Sequence, residues 1–304
     1  MSHEPVMVRE VVGALVSDRA GRFVDGTLGE GGHARAILEA THPHGRLLGL
    51  DRDPDALRIA GECLAPYGDR AQLEQGDFRD LAEILERIGW DRVDGVLLDL
   101  GLRSGALDVA DRGFAFGLGG PLDMRFDPGQ GESAADLLAR LRMEELSALF
   151  AEGTSRANPH AIARAIVECR RRRPIERTDD LVRCLRGALG RWATPKLLSS
   201  VFSTLRMAVN TELAALDRAL ETVPALLTTG GVLCVLAYQS QEDRRVKLLR
   251  RSSFVDPRSG EPFRMAPLWP RPLRPSLEEI RRNRRSRSAR LRALRRESSK
   301  DPQE

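Results

Sequence analysis

Acidic residues recur wherever the first hundred residues predict the end of a short β-strand. Asp25, Asp51, Asp77 and Asp99 each lie at or near the C-terminal end of such a run. Open α/β sheets bind their ligands at this edge, so the four carboxylates are candidate ligand contacts. Asp51 is suited to accept hydrogen bonds from ribose hydroxyls, and Asp77 with Phe78 to bond and cover an adenine. The pattern predicts a ligand that contains adenosine.

The first of these strands runs into a glycine-rich turn, D-G-T-L-G-E-G-G-H, from Asp25 to His33. Glycines at this point let the backbone approach a ligand where the next helix begins. The segment from Gly29 to Ala34 also matches G-x-G-x-x-A, the dinucleotide fingerprint, so NAD is an alternative ligand. S-adenosylmethionine is favoured because the Asp25 carboxylate would attract a cationic ligand and repel a pyrophosphate. An NAD-dependent oxidoreductase would also need a proton relay, and we find no Tyr-x-x-x-Lys pair or His–acid relay.

The elements that must position these residues follow an α/β pattern. Residues 22–101 alternate β-rich runs with helical stretches in four β-α steps, which predicts a parallel sheet with helices on both faces. Residues 133–222 show helical periodicity until a strand pattern resumes at 230–238. The simplest topology inserts a helical, substrate-side domain (106–205) into an α/β cofactor domain (1–105 and 206–304).

Charge is distributed unevenly along the chain of 304 residues. Residues 271–304 carry 11 Arg and 1 Lys against 5 acidic residues, a net charge of +7, and the other 270 residues sum to −3. A basic C-terminal tail on a mildly acidic body predicts a polyanionic partner. The tail has no amphipathic apolar stripe, which favours nucleic acid over a membrane. The alternative is a charge run that is only solvated.

Membrane, metal and disulfide functions find no support in the composition. No apolar run approaches the roughly 18 residues needed to span a bilayer, and acidic residues interrupt the N-terminus where a signal peptide would be apolar. We therefore expect a cytoplasmic protein. The four cysteines lie far apart, and the pair His42 and His44 sits in a Pro-Gly turn without acids or thiols nearby, so we expect no metal site.

Several longer segments carry a family resemblance. They include HEPVMVREVV, FVDGTLGEGGHARAIL, LGLDRDPDAL, GVLLDLG, RGFAF followed by PLDMRFDP, LRMAVNTEL and RRNRRSRSARLR, spread from His3 to Arg292. The chain resembles the bacterial 16S ribosomal RNA (cytosine-N(4)-)-methyltransferases. The resemblance implies a Rossmann-like methyltransferase sheet split by an inserted all-helical domain. It also implies S-adenosylmethionine as cofactor and methylation of the exocyclic amine of a cytidine, in small-subunit ribosomal RNA or a ribosomal particle.

The residues and the resemblance together give three sets of candidate site residues. The cofactor-binding set is Asp25, Gly29, Gly31, Gly32, His33, Asp51, Asp77, Phe78 and Asp99. The catalytic set is Asp99 and Gln239. The RNA-binding set is Arg103, Arg170, Arg206, Arg284 and Arg287.

The chain departs from the family pattern mainly in its substrate half. Where the family usually reads D-L-G-V-S-S-P-Q-L-D, this chain has DLGLRSGALD, so Arg103 replaces a serine and Ala106 replaces the cofactor-contacting glutamine. Gln239 stands at the family's histidine and Ser203 at a glutamine. The departures leave a second hypothesis open: a cofactor-binding, RNA-associated homologue with weak or no activity, or with a changed RNA target.

The chemistry of the expected step asks for positioning more than for a strong base. Methyl transfer from a sulfonium is an in-line displacement. An acceptor for an N–H of the cytosine amine would localise the nitrogen lone pair, and Asp99 is the candidate. An Asp99 that faces only the cofactor is an equal alternative. Tyr238 and Gln239 could bond or stack the base, or simply end the strand. The sequence leaves the oligomeric state open, a homodimer included.

Overall fold

The computed structural model describes residues 5–17, 19–154 and 158–298, with every side chain in these ranges except that of Ser104. Its strands are β1 (Arg22–Asp25), β2 (Arg46–Asp51), β3 (Ala71–Gln75), β4 (Val93–Asp99), β5 (Leu227–Ala237), β6 (Ser253–Val255), β7 (Pro262–Pro267) and β8 (Arg290–Ser298). Its α-helices are α1 (Val8–Leu15), α2 (Gly32–Ala40), α3 (Pro54–Leu64), α4 (Leu81–Arg87), α5 (Ser104–Leu107), α6 (Ala134–Arg140), α7 (Met143–Gly153), α8 (Pro159–Arg172), α9 (Thr178–Leu189), α10 (Pro195–Val209), α11 (Glu212–Leu226), α12 (Ser240–Leu249) and α13 (Leu277–Arg282). Short 3-10 segments lie at Ala65–Arg70, Phe78–Asp80, Ala110–Arg112, Gly190–Trp192 and Arg284–Ser288.

The chain forms two compact units. The first contains Met1–Gly101 and Leu213–Glu304, and the second contains Leu102–Glu212. The first unit holds an eight-stranded sheet in the order β3-β2-β1-β4-β5-β8-β7-β6. The second is helical in its regular structure. The α/β class with an inserted helical region is thus confirmed. The sequence places the boundaries of the insert at 105 and 205, and the chain passes between the two compact units after Gly101 and after Glu212.

The inner parallel strands β1, β2, β4 and β5 are buried on both faces, as their near-continuous apolar runs require, whereas β3 is a partly exposed edge strand. Along β4, Leu97 packs into one hydrophobic cluster while Val96 and Leu98 pack into the other. Along β2, Leu47 and Leu48 divide in the same way. Burying each of these side chains contributes about 1.5–3 kcal/mol, so the sheet is fixed by apolar packing and its ends are free for function.

The parallel register brings the acidic strand ends to one edge of the sheet. β1 pairs with β2 and β4 so that Asp25 lies opposite Gly49 and Leu97. Asp51 lies opposite Gln75, and Asp99 lies opposite Leu236. Parallel strands end on the same side, so this edge collects the ends of all five parallel strands.

The C-terminal segment corrects one prediction. Residues 271–304 were expected to form a basic tail, but β8 lies between β5 and β7 and is antiparallel to both. Leu291, Ala293 and Leu294 are buried in the sheet. The prediction of an appended tail is wrong, because the apolar residues between the arginines complete the core; residues 299–304 lie outside the described ranges.

The second unit has its own core, built from the apolar faces of its longer helices. Phe150, Ile162 and Leu185 are fully buried there. The irregular Gly-rich stretch between α5 and α6 is fixed from within this unit by Asn210, whose side chain donates to the Met124 carbonyl (2.7 Å) and accepts from the Phe126 N–H (2.8 Å).

No helix in the parts of the chain that the structure describes is long and apolar enough to cross a membrane.

Candidate functional site

The turn after β1 has the backbone that its glycines predict. Gly31 adopts φ +80°, in the left-handed region, and α2 begins at the next residue, Gly32. The Gly29 N–H donates to Oδ2 of Asp51 (2.8 Å), which ties the turn to the end of β2. Oδ1 of Asp51 accepts from the Asp53 N–H (2.9 Å). The half-buried Asp51 therefore shapes the turn as well as facing the edge of the sheet.

Asp25 is the most unusual group at this edge. It is 1% exposed, and its Oδ1 accepts a hydrogen bond from the Thr27 N–H (3.2 Å). Its Oδ2 is buried and has no hydrogen-bond partner among the described residues. Burial raises the pKa of Asp25 to about 7, an effect that the nearby His33 opposes and the Asp99 and Asp51 carboxylates strengthen. A buried carboxylate with an unused oxygen is suited to bind a cation.

Asp99, at the end of β4, is held by several contacts. Its backbone N–H donates to Oγ1 of Thr27 (2.6 Å), and its Oδ1 accepts from the Gly101 N–H (3.0 Å). Its Oδ2 lies 3.8 Å from Nδ1 of His33. The Tyr238 hydroxyl is hydrogen-bonded to the Asp99 carboxylate. The contacts from Thr27 and Tyr238 could not be predicted from the sequence, because no spacing rule joins residues so far apart in the chain.

Tyr238 acts as a donor toward Asp99. Burial, helped by the Asp99 charge, raises the pKa of Tyr238 well above its ordinary value, so the hydroxyl keeps its proton. The ring lies over Gly101, where a Cβ would come within 2.8 Å of Cε2. Gly101 is therefore needed for this close approach, and the ring and hydroxyl together fix one side of Asp99.

His33 is oriented from its other ring nitrogen. It is 6% exposed, and Nε2 donates to the Val6 carbonyl at 2.8 Å. That bond directs Nδ1 toward Asp99. The residues near the start of the chain thus fix the ring of a predicted cofactor contact.

Asp77 and Phe78 lie just beyond β3. Asp77 caps the 3-10 segment by accepting from the Arg79 N–H (3.0 Å), and its Oδ2 lies 2.9 Å from Nε of Arg79 and 3.4 Å from Nη1 of Arg52. Its carboxylate is engaged by two arginines, so hydrogen bonding to an adenine stays a prediction. Phe78 packs beside Gly26 in the glycine turn and joins the cluster around Leu98.

Gln239 lies at the end of β5 and begins α12. Oε2 of the buried Glu242 accepts from the backbone N–H groups of Tyr238 (2.8 Å) and Gln239 (2.9 Å). These two bonds fix the backbone at the start of α12. The catalytic role of Gln239 stays a prediction.

The candidate RNA-binding arginines divide into engaged and exposed groups. Arg206 forms a bidentate pair with Glu212 (2.8 and 2.9 Å), and the Arg170 guanidinium donates to the Leu138 carbonyl. Arg284 and Arg287 are exposed. Arg103 is partly buried and, with Ala106 and Ser203, belongs to the second unit.

The strand-end site, defined by Asp25, Gly29, His33, Asp51 and Asp99, fits S-adenosylmethionine. The unused oxygen of Asp25 matches the positive charge of the cofactor, and it would repel the pyrophosphate of NAD. Asp51 supplies a carboxylate at the end of the second strand, where a ribose is expected. Within the described residues, no group of three His, Cys, Asp or Glu side chains could hold a metal ion.

Comparison with known proteins gives close relatives along the whole chain. Ribosomal RNA small subunit methyltransferase H of Thermomicrobium roseum is 44% identical, covering 97% of this chain and 94% of the relative. The proteins of that name from Geotalea uraniireducens and Geobacter sulfurreducens are 43% and 42% identical, covering 96% of this chain and 97% and 98% of theirs. Among solved structures, an rRNA methylase from Streptococcus thermophilus aligns over 96% of this chain and 94% of its own, with 10% identity and a TM-score of 0.44, too distant to add to the argument.

A family model adds the last observation. The model described as the MraW methylase family matches residues 1–297. This match confirms the resemblance inferred from the motifs and favours a methyltransferase over an NAD-dependent oxidoreductase. With its glycine turn, its strand-end acids and its near-complete match, the chain belongs to the MraW methylase family.

Proposed function

We propose that this chain transfers a methyl group from S-adenosylmethionine to the exocyclic amine of a cytidine in small-subunit ribosomal RNA. The observation that carries the proposal is the buried Asp25 carboxylate with an unpartnered oxygen, next to the glycine turn of a methylase-family chain. Relatives named ribosomal RNA small subunit methyltransferase H, at 42–44% identity, support the RNA substrate.

The strand-end site holds the cofactor through charge and hydrogen bonds. S-adenosylmethionine, when bound, supplies a methyl group activated by a sulfonium charge. Asp25 provides the countercharge, and a buried carboxylate attracts a positive charge more strongly than an exposed one does. Asp51 accepts hydrogen bonds from the ribose, since a carboxylate offers about four acceptor positions. Phe78 covers the adenine from the next strand.

Asp99 positions the nucleophile. The lone pair of the cytosine amine is delocalised into the ring, and a carboxylate that accepts an N–H from that amine localises the pair. The Gly101 N–H and the Tyr238 hydroxyl fix the orientation of Asp99 before substrate arrives. Most of the rate enhancement then comes from holding the amine in line with the methyl group.

The candidate RNA-binding arginines differ in whether a partner within the protein already holds them. Arg284 and Arg287 are exposed and bind phosphates, while Arg206 and Arg170 are held by internal partners and contribute less. The RNA-binding role of Arg103 rests on the sequence alone. A ribosomal RNA substrate places the protein in the cytoplasm. Sedimentation of the purified chain decides between a monomer and the homodimer that the sequence leaves open.

Labelled cofactor and nucleoside mapping test the proposed reaction. The chain is incubated with labelled S-adenosylmethionine and either naked small-subunit RNA or small-subunit particles that lack the modification. Digestion and mass spectrometry should then give N4-methylcytidine. Wild type that binds the cofactor and methylates no RNA would favour the second hypothesis, a cofactor-binding RNA-associated homologue.

An Asp99→Ala variant separates the two roles considered for Asp99. If Asp99 holds the amine, kcat should fall by about 100-fold or more while cofactor affinity changes little. If Asp99 faces only the cofactor, affinity should fall and kcat at saturating cofactor should remain. Asp69→Ala is the matched control, because Asp69 is 88% exposed and pairs only loosely with Arg46 (3.6 Å).

A further inference from the structure

A concave surface of the first unit lies apart from the strand-end site. It is a shallow depression, open to solvent, between the end of α12 and the segment that follows β7. Val246, Ala293 and Leu294 line it, together with the half-buried Trp269 and the exposed Pro270. We call it the Trp269 groove. The Leu268 N–H donates to the Ala293 carbonyl (2.9 Å), which fixes one wall of the groove to β8.

Three unpaired cations surround the groove. Lys247, Arg250 and Arg271 line it, are exposed, and have no hydrogen bond or ion pair with any residue in the described ranges. Arg292 also lines it but is paired with Oδ1 of Asp243 (2.7 Å). Among the residues that the structure describes, no acidic side chain lines the groove. Three like charges at one concavity repel each other, and a bound anion would relieve that repulsion.

The groove is set back from the strand-end site. The lining residues Arg292, Ala293 and Leu294 pair with β5 residues that lie three to five positions before Tyr238. At about 3.3 Å per strand residue, this places the groove roughly 10–16 Å along the strand from the catalytic edge. A ligand in the groove therefore does not occupy the place of the target base.

We propose that the Trp269 groove is a second RNA-binding site, in which Lys247, Arg250 and Arg271 bind phosphates of an RNA strand outside the target nucleotide. The inference rests on the proposed function for its choice of polyanion. Trp269 and Pro270 suit a nucleic acid better than a simple anion, since a ribose or base adds an apolar surface beside each phosphate. The groove increases affinity without selecting sequence.

Removing the three charges tests the groove. The K247A/R250A/R271A variant is compared with wild type and with R19A/R58A/R218A, which removes the same charge from other exposed positions of the unit. Binding of naked small-subunit RNA is measured over a series of salt concentrations. Three phosphate contacts contribute about 2 to the slope of log affinity against log salt concentration. The slope of the groove variant should therefore be smaller than that of wild type by about 2. The control should keep the wild-type slope.

Kinetics and folding complete the test. The groove variant should show a raised KM for RNA, with kcat at saturating RNA, cofactor affinity and thermal unfolding as in wild type. An unchanged salt slope, or an equal loss in both triple variants, would overturn the groove as a phosphate site. Loss of binding to ribosomal particles with unchanged binding to naked RNA would assign the groove to a protein and also overturn the proposal.

The groove and the proposed reaction can fail independently. If wild type methylates no RNA, the proposed function fails, while the salt slopes of the two triple variants still decide the groove. If wild type methylates RNA and the slopes are equal, the groove proposal fails and the reaction stands.

Discussion

Two buried carboxylates of the first unit, Asp25 and Asp256, differ in how completely they are paired. Asp256, 7% exposed, accepts from Nη2 of Arg92 with both oxygens (2.8 and 2.6 Å) and from the Arg296 guanidinium and the Arg258 N–H (2.9 Å). Burial would raise its pKa, but these donors hold the pKa of Asp256 well below its usual value. Its hydrogen-bonding capacity is largely used within the protein.

Asp25 shows the opposite pattern, since burial raises its pKa to about 7 and one oxygen has no partner in the described ranges. The comparison separates a structural carboxylate from one kept for a ligand. Burial is common to both; what differs is whether the fold supplies the countercharge. A buried acid that the protein leaves incompletely paired is a better indicator of a binding site than an acid that is merely buried.

Asp256→Ala should have the largest effect on stability. The substitution leaves Arg92 and the buried Arg296 without their carboxylate, and breaking a buried ion pair costs about 3–5 kcal/mol. Urea unfolding should show this loss. Asp91→Ala, which removes an exposed carboxylate paired with Arg258, should change stability little. Equal losses in the two variants would contradict the structural role of Asp256.

Asp25→Asn should weaken cofactor binding without lowering stability, whereas Asp256→Ala should lower stability. Cofactor affinity should fall by about 1.5–3 kcal/mol, roughly 10- to 150-fold, the scale of a hydrogen bond to a charged group. Stability of the free protein above pH 7 should not fall, because the substitution removes a charge whose burial is unfavourable. Calorimetry and urea unfolding measure the two effects, and unchanged affinity would remove Asp25 from the site.

The contrast also shows how far the sequence could predict the structure. Alternating β-rich and helical runs predicted β1 to β5 and the acids at their ends, because buried parallel strands have continuous apolar runs and their register follows from topology. The register in the structure does bring Asp25, Asp51 and Asp99 to one edge. Local patterns were sufficient for that half of the site.

The C-terminal region could not be predicted in the same way. In β8, RLRALRRES, arginines alternate with few apolar residues, so the sequence predicts a basic tail that binds nucleic acid, with a solvated charge run as the alternative. Arg292 and Arg296 are instead neutralised by Asp243 and Asp256, which lie 49 and 40 residues earlier in the chain. Composition counts charges, but only tertiary structure shows which are paired. Arg206 with Glu212 and the Tyr238–Asp99 contact were missed for the same reason.

The pH dependence of cofactor binding sharpens the contrast. The pKa of Asp25 in the folded protein, about 7, lies above its ordinary value of 3.8. The contribution of Asp25 to the stability of the free protein should therefore fall as the pH rises from about 4 to about 7. A cationic ligand prefers the ionised carboxylate, so affinity should rise with pH up to about 7 and then level off. Calorimetry over this range measures the rise. Asp25→Asn is the control, and its cofactor affinity should lack this rise with pH. The same dependence of affinity on pH in both proteins would contradict the role of Asp25 as the countercharge.

The smallest expected effects distinguish the two residues that follow β5. Tyr238→Phe keeps the ring over Gly101 and removes the hydroxyl from Asp99, so kcat should fall by about tenfold or less with cofactor affinity and stability nearly unchanged. Gln239→Ala should leave both stability and kcat nearly unchanged, because Glu242 bonds to the backbone N–H of Gln239, which alanine keeps. Steady-state kinetics and urea unfolding of both variants decide the matter. A larger kcat loss in Gln239→Ala than in Tyr238→Phe would mean that Gln239 contacts the base, and that the carboxylate at the end of β4 is positioned without the tyrosine.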